Sequence, residues 1–195
     1  GKYPSYLYLC IVLLRNVDMK LLLLSSPNFF VEEDKILTTL FEEGLDILHL
    51  RKPDSEPVYC ERLLTLLPDK YHQRVITNDH FYLKDEFDLM GIHLTERNST
   101  PPPGYKGLIT RTCYNLEDLP ELKKKSHYVI LRGVFDSFND SNALSQYTHE
   151  QLREASRKGL IDKHVMAQTG VNLDNITPVL AAVSGRIFCG MEFSS

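Results

Sequence analysis

The stretch Leu45-Asp46-Ile47-Leu48-His49-Leu50-Arg51-Lys52 carries an apolar run straight into two adjacent cations. A short, near-continuous hydrophobic run is how a parallel strand buried on both faces reads. In an α/β barrel the residues just past a strand's C-terminal end line the active site, which puts Arg51 and Lys52 where an anion such as phosphate would sit. Residues two apart on a strand share a face, so His49 stands on the side of Arg51, within reach of a substrate ring.

Outward from this strand, β-like runs alternate with amphipathic helical ones. The strand-like runs are 20–25, 46–51, 74–77, 89–93, 107–111, 128–132, 165–168 and 186–190, and the helical ones are 32–43, 56–67, a short turn near 81–86, 116–125, 148–158 and 173–183. In the first helix Ile36, Leu37, Leu40 and Phe41 share a face, and Gly44 follows where a positive φ closes a helix. Three consecutive prolines within 98–104 prevent a helix after the fourth strand. Eight such units predict an α/β fold, a compact (β/α)8 TIM barrel with its eighth helix missing. The rival, an open doubly wound sheet, lacks its Gly-rich fingerprint here. We expect one barrel domain over 19–195 and an extension outside it over 1–18. The apolar run 6–14 is too short to span a bilayer, and no small-residue cleavage site follows it before Arg15.

With 195 residues, 43% hydrophobic and 25% charged, the chain has the composition of one ordinary globular domain. Its net charge of -4, with lysine and arginine dispersed among carboxylates, argues against nucleic acid as a partner, and no segment calls for a membrane. Cys10, Cys60, Cys113 and Cys189 are isolated, with no C-x-x-C pair and no histidine at metal-finger spacing. Free thiols and a cytoplasmic setting are expected.

The residues past successive strand ends are Arg51-Lys52, Asn78-Asp79, His93, Thr112, Arg132-Gly133, Thr169-Gly170 and Gly190-Met191. Polar residues and glycines gather there, and the opposite strand ends carry no comparable set. Asn78 offers an amide for substrate hydrogen bonds and Asp79 a carboxylate for a hard cation such as Mg2+, unless Asp79 merely caps the next helix. His93 is either a catalyst or a satisfied core histidine. Gly170 and Gly190 let backbone N–H groups approach a phosphate, or simply make turns.

At these residues the chain resembles the thiamine phosphate synthase family, also called thiamine-phosphate pyrophosphorylase, with its TenI-like thiazole tautomerase branch. The likeness runs from Met19 to Met191, through Gly44-Leu45-Asp46, His49-Leu50-Arg51-Lys52, Ile76-Thr77-Asn78-Asp79, Met90-Gly91-Ile92-His93-Leu94 and Val165-Met166-Ala167-Gln168-Thr169-Gly170-Val171. The resemblance implies a transferase of thiamine biosynthesis on a β/α barrel. It would join hydroxymethylpyrimidine diphosphate to thiazole phosphate with release of pyrophosphate. A thiazole tautomerase or a non-catalytic phosphate-ligand binder are the alternatives. By the same resemblance Arg51 and Lys52 grip the diphosphate, and His93, read from its place at the strand end, is a third catalytic candidate. Asn78 contacts the diphosphate, Asp79 holds Mg2+, and His49 and Thr112 line the substrate. Thr169 and the Gly170 and Gly190 backbones take the thiazole phosphate. The implied partners are these two small phosphorylated substrates, and a homodimer is compatible.

Against the family's usual pattern, His49 replaces a glutamine, Pro53 a lysine, Asn98 a second metal carboxylate, and Thr112 and Tyr114 a serine and a histidine. Residues 135–140 contain no lysine. Each lost charge removes roughly a few kcal/mol of transition-state stabilisation, which predicts a slow synthase.

Overall fold

The computed structural model describes residues 20–133 and 146–167. Seven strands form one sheet in strict sequence order. They are β1 (Leu22–Leu24), β2 (Ile47–Leu50), β3 (Val75–Thr77), β4 (Gly91–Leu94), β5 (Leu108–Cys113), β6 (Tyr128–Leu131) and β7 (Val165–Ala167). Every neighbouring pair is parallel. Right-handed crossovers between in-order neighbours keep the helices on one face, and strand twist curls the other face inward, as the TIM barrel expected from the sequence requires. The strand expected at 186–190 and the helix at 173–183 lie outside the described residues, as does the extension 1–18.

The helices are α1 (Glu33–Glu43), α2 (Pro57–Leu66), α3 (Leu83–Glu86), α4 (Leu119–Lys124) and α5 (His149–Arg157). α1 ends as expected at Gly44, whose φ of 117° and the bond from Leu45 N–H to the Leu40 carbonyl close the helix in a left-handed cap. The helix expected over 116–125 divides into a 3-10 turn, Leu116–Asp118, and α4. Pro120 stands in the first turn of α4, where its missing N–H costs nothing. A second 3-10 segment, Asp69–Arg74, was not expected. Pro68 stops α2, and His72 folds back so that its Nε2 meets the Leu64 and Leu67 carbonyls at 2.8 and 3.0 Å, satisfying orphan acceptors of the helix end. Thr148 caps α5 in a reciprocal box with Gln151. Among the described residues no helix is long and apolar enough to cross a membrane.

The period-2 alternation of the strands separates two cores. Leu21, Leu23, Leu48, Leu50, Val75, Val129 and Leu131 join Leu37, Leu40, Phe41, Leu63 and Leu64 of α1 and α2 in the layer between sheet and helices. Leu22, Leu24, Ile47, Ile76, Tyr128, Ile130 and Met166 meet on the concave face. At Gly91 strands β4 and β5 approach so closely that a Cβ would clash with the Leu108 carbonyl oxygen. Gly91→Ala should therefore cost about 1–3 kcal/mol of stability. It should appear as a lower urea midpoint at unchanged slope, and an unchanged midpoint would show that β4 and β5 are not so closely set.

Candidate active site at the C-terminal rim of the sheet

Arg51 follows β2 and is half-buried. Ser25, just past β1, clamps its backbone. The Ser25 hydroxyl accepts the Arg51 N–H at 2.9 Å and donates to the Arg51 carbonyl at 3.1 Å. The guanidinium makes no ion pair among the described residues, so a positive group is held by its main chain and left available.

Lys52, one residue on, is placed elsewhere. Its ammonium is fully buried, donates to Glu33 Oε1 at 2.7 Å and to the Asn28 carbonyl at 2.9 Å, and lies 4.3 Å from the centre of the Phe29 ring. Burial pushes the Glu33 carboxyl up and the Lys52 ammonium down, and their mutual attraction opposes both shifts. The second Glu33 oxygen is buried without a direct hydrogen bond among the described residues, and the Phe30 backbone helps to hold the carboxyl's pKa down against burial. The cation expected beside Arg51 is thus a strut joining the loop after β1 to the loop after β2.

β3 delivers Asn78 and Asp79 to the same rim. Asn78 N–H donates to the Leu50 carbonyl at 2.9 Å, extending the ladder by one rung. Asp79 Oδ2 accepts the Lys52 backbone N–H at 2.9 Å, and the Thr77 hydroxyl donates to the Asp79 carbonyl. Asp79 does not cap the following helix, whose N-cap is Tyr82. Its carboxylate instead ties two rim loops together.

Beneath Arg51 the concave face carries a polar chain. His49 Nδ1 meets Asn78 Oδ1 at 3.1 Å and its Nε2 meets the Tyr128 hydroxyl at 2.6 Å. His93 Nδ1 and Nε2 meet the Thr110 and Thr112 hydroxyls, each at 2.7 Å. The two imidazoles stand edge to face with centroids 4.9 Å apart. Burial holds His49 down at about 3, only partly offset by its bond to Asn78. His93 is held well below its ordinary value by burial, then by His49 and Arg111. Both rings are neutral at physiological pH.

The structure therefore brings Arg51, Asn78, Asp79, His49, His93 and Thr112 to one end of the sheet. Thr169, Gly170 and Gly190 lie outside the described residues. One contributor carried no expectation from the sequence, and another was noted there only for its position past a strand end. Tyr128 begins β6 on the concave face, which its spacing from Ile130 could have signalled. Arg132, exposed past the end of β6 with its guanidinium 5.7 Å from the Tyr114 ring centre, is a second rim cation. Asn98 is exposed in a tight turn closed by its bonds with Thr95. Among the described residues no group of three histidines, cysteines or acids could hold a metal. Asp79 alone, with one oxygen uncommitted to the backbone, fits an ion that arrives already bound to phosphate oxygens, not a protein-built cage. Cys60 and Cys113 are buried free thiols with pKa values raised by burial, and Cys10 and Cys189 lie outside the described residues.

The chain is 47% identical to thiamine phosphate pyrophosphorylase from Bacteroides thetaiotaomicron, whose crystal structure superposes with a TM-score of 0.78 over 88% of this chain and 83% of that one. It belongs to the thiamine phosphate synthase family. The thiamine-phosphate synthase of Halalkalibacterium halodurans is 25% identical over 87% of this chain and 85% of its own length. Thiamine phosphate pyrophosphorylase from Pyrococcus furiosus, 20% identical with a TM-score of 0.70 over 88% of this chain and 85% of that one, shares the fold. No family model matches the chain.

The two depressed histidines make stability depend on pH. Each is neutral when folded and protonates near 6.5 when unfolded, so the unfolded chain binds more protons below that pH and stability falls as pH falls. The limiting slope is about 1.4 kcal/mol per pH unit for each histidine. Glu33, whose carboxyl burial pushes up, acts in the opposite sense, so the histidine contribution is read as the difference in slope between the unsubstituted chain and a histidine variant. Urea unfolding should show this loss, with a smaller slope in His93→Gln. Equal slopes would mean that His93 is not buried neutral.

Proposed function

We propose that this chain is a thiamine phosphate synthase, a transferase that joins hydroxymethylpyrimidine diphosphate to thiazole phosphate and releases pyrophosphate. The observation that carries the proposal is the Arg51, Asn78 and Asp79 grouping at one rim of a chain 47% identical to a solved thiamine phosphate pyrophosphorylase.

As the bond between the pyrimidine methylene carbon and the diphosphate oxygen breaks, its electron pair leaves with pyrophosphate. Negative charge grows on the leaving oxygens and positive charge on the methylene carbon. Arg51 can offer two parallel N–H donors to those oxygens, a geometry that an ammonium cannot reproduce. Asn78 adds amide donors from a fixed position. Donors already oriented for the developing charge lower the barrier without reorganising. Mg2+ held by Asp79 and diphosphate oxygens would add positive charge on the leaving group. Lys52 serves this site through its backbone N–H on Asp79. We assign His93 and Thr112 to the pyrimidine side and Thr169, Gly170 and Gly190 to the thiazole phosphate. Two buried free thiols agree with a cytoplasmic setting. The tautomerase alternative would need a base near neutral pH where Tyr114 stands, so the synthase reading leads.

The test is formation of thiamine phosphate from both precursors across a range of magnesium concentrations. Arg51→Ala should lower kcat/KM by about 10²–10³, and Arg51→Lys should recover little of it. Asn98→Asp should lower the magnesium concentration needed for half-maximal rate, and Asp79→Asn should raise it. The proposal fails if no thiamine phosphate forms at saturating magnesium and Asn98→Asp does not restore it.

A further inference from the structure

The polar chain inside the sheet has two ends, and both reach the rim. One arm runs from Thr112 through His93 to Thr110, the other from Tyr128 through His49 to Asn78, and the Thr110 hydroxyl stands near enough to the Tyr128 phenol to lower its pKa against the effect of burial. The Thr110 hydroxyl also has the Ile92 carbonyl within reach at 3.5 Å, so it is the Asn78 end that fixes the direction of the bonds to His49 and Tyr128. Asn78 Oδ1 is an acceptor only, which makes His49 Nδ1 the donor. His49 Nε2, the bare nitrogen of a neutral ring, then accepts the Tyr128 hydroxyl proton. Asn78 is 8% exposed, and its Nδ2 makes no hydrogen bond among the described residues. An amide nitrogen with no partner among the described residues, at the rim beside Arg51, is free to donate to an anionic or acceptor ligand.

We infer that His49 is a positioning residue that acts through Asn78, its Nδ1–H holding the amide oxygen so that the amide NH2 faces the leaving pyrophosphate, with Tyr128 bonded to the opposite ring nitrogen. This rests on the synthase reading of the site. The sequence suggested that His49 itself touches a substrate ring. With both ring nitrogens bonded and no exposed surface, it could do so only by giving up one of these bonds. A glutamine at this position could play the same part, donating from its amide to Asn78 and accepting from Tyr128. A side chain without donor or acceptor would leave the Asn78 amide free to turn over.

The experiment has two readouts on the full chain, neither needing turnover. Nitrogen-15 NMR at neutral pH should show His49 as the Nδ1–H tautomer, with that signature weakened in Asn78→Ala. Calorimetry with inorganic pyrophosphate and magnesium should show affinity falling about tenfold in His49→Leu and recovering in His49→Gln. An Nε2–H tautomer at His49, or His49→Gln binding no better than His49→Leu while both fold, overturns the inference. If the unsubstituted chain binds no pyrophosphate, the synthase reading fails and the positioning role with it. The nitrogen shifts still report the direction of the His49 bonds.

Discussion

The parallel register of β2 against β3 is the constraint on which the site depends. Leu48, His49 and Leu50 pair with Val75, Ile76 and Thr77, so both strands end at the same level and release Arg51 beside Asn78 and Asp79. A slip of one residue would turn His49 and Arg51 toward the helices and put Leu48 and Leu50 among the polar groups. The Asn78 N–H bond to the Leu50 carbonyl and the Asp79 bond to the Lys52 N–H continue the register past the strands. The rim is therefore an extension of the sheet.

Burying polar groups on the concave face carries a desolvation cost that apolar side chains would avoid. His49, His93, Thr110 and Tyr128 offset it by bonding to one another, and the histidines remain uncharged. A chain of this kind is of use only where its ends are used, because partly satisfied networks are worse than an apolar core. Its ends here are Asn78 and Thr112, both at the rim.

Local patterns made most of the fold legible. Apolar runs marked the strands, and Leu37, Leu40 and Phe41 marked the buried face of α1. The site was legible only where function is set by position along a strand, as for Arg51, Asn78 and Asp79. Lys52 was read as a rim cation because its local signal is the same as that of Arg51. What separates them is Glu33, nineteen residues earlier. Glu33 sits one turn before Leu37 on the buried stripe of α1. An acid on an apolar helix face is a request for a buried cation, and that was the signal available. The segment 69–74 escaped because neither period describes a turn built around His72.

The lysine and acid missing from the usual family pattern bear on rate, whereas the buried Lys52–Glu33 pair bears on shape. Two ions taken out of water return little net stability together, yet removal of either leaves the other uncompensated at a cost of about 3–5 kcal/mol. Lys52→Met should therefore unfold the rim through stranded Glu33, and adding Glu33→Gln should recover part of the loss, since a neutral amide is cheaper to bury. In thermal melts the double variant should be more stable than Lys52→Met alone. The opposite order would mean that Lys52 is held by Asn28 and Phe29 and that Glu33 is incidental. The expected order makes the strut electrostatic in origin, with the Lys52 charge held below the rim while its backbone N–H anchors Asp79, and Arg51 is left at the rim with no ion pair among the described residues.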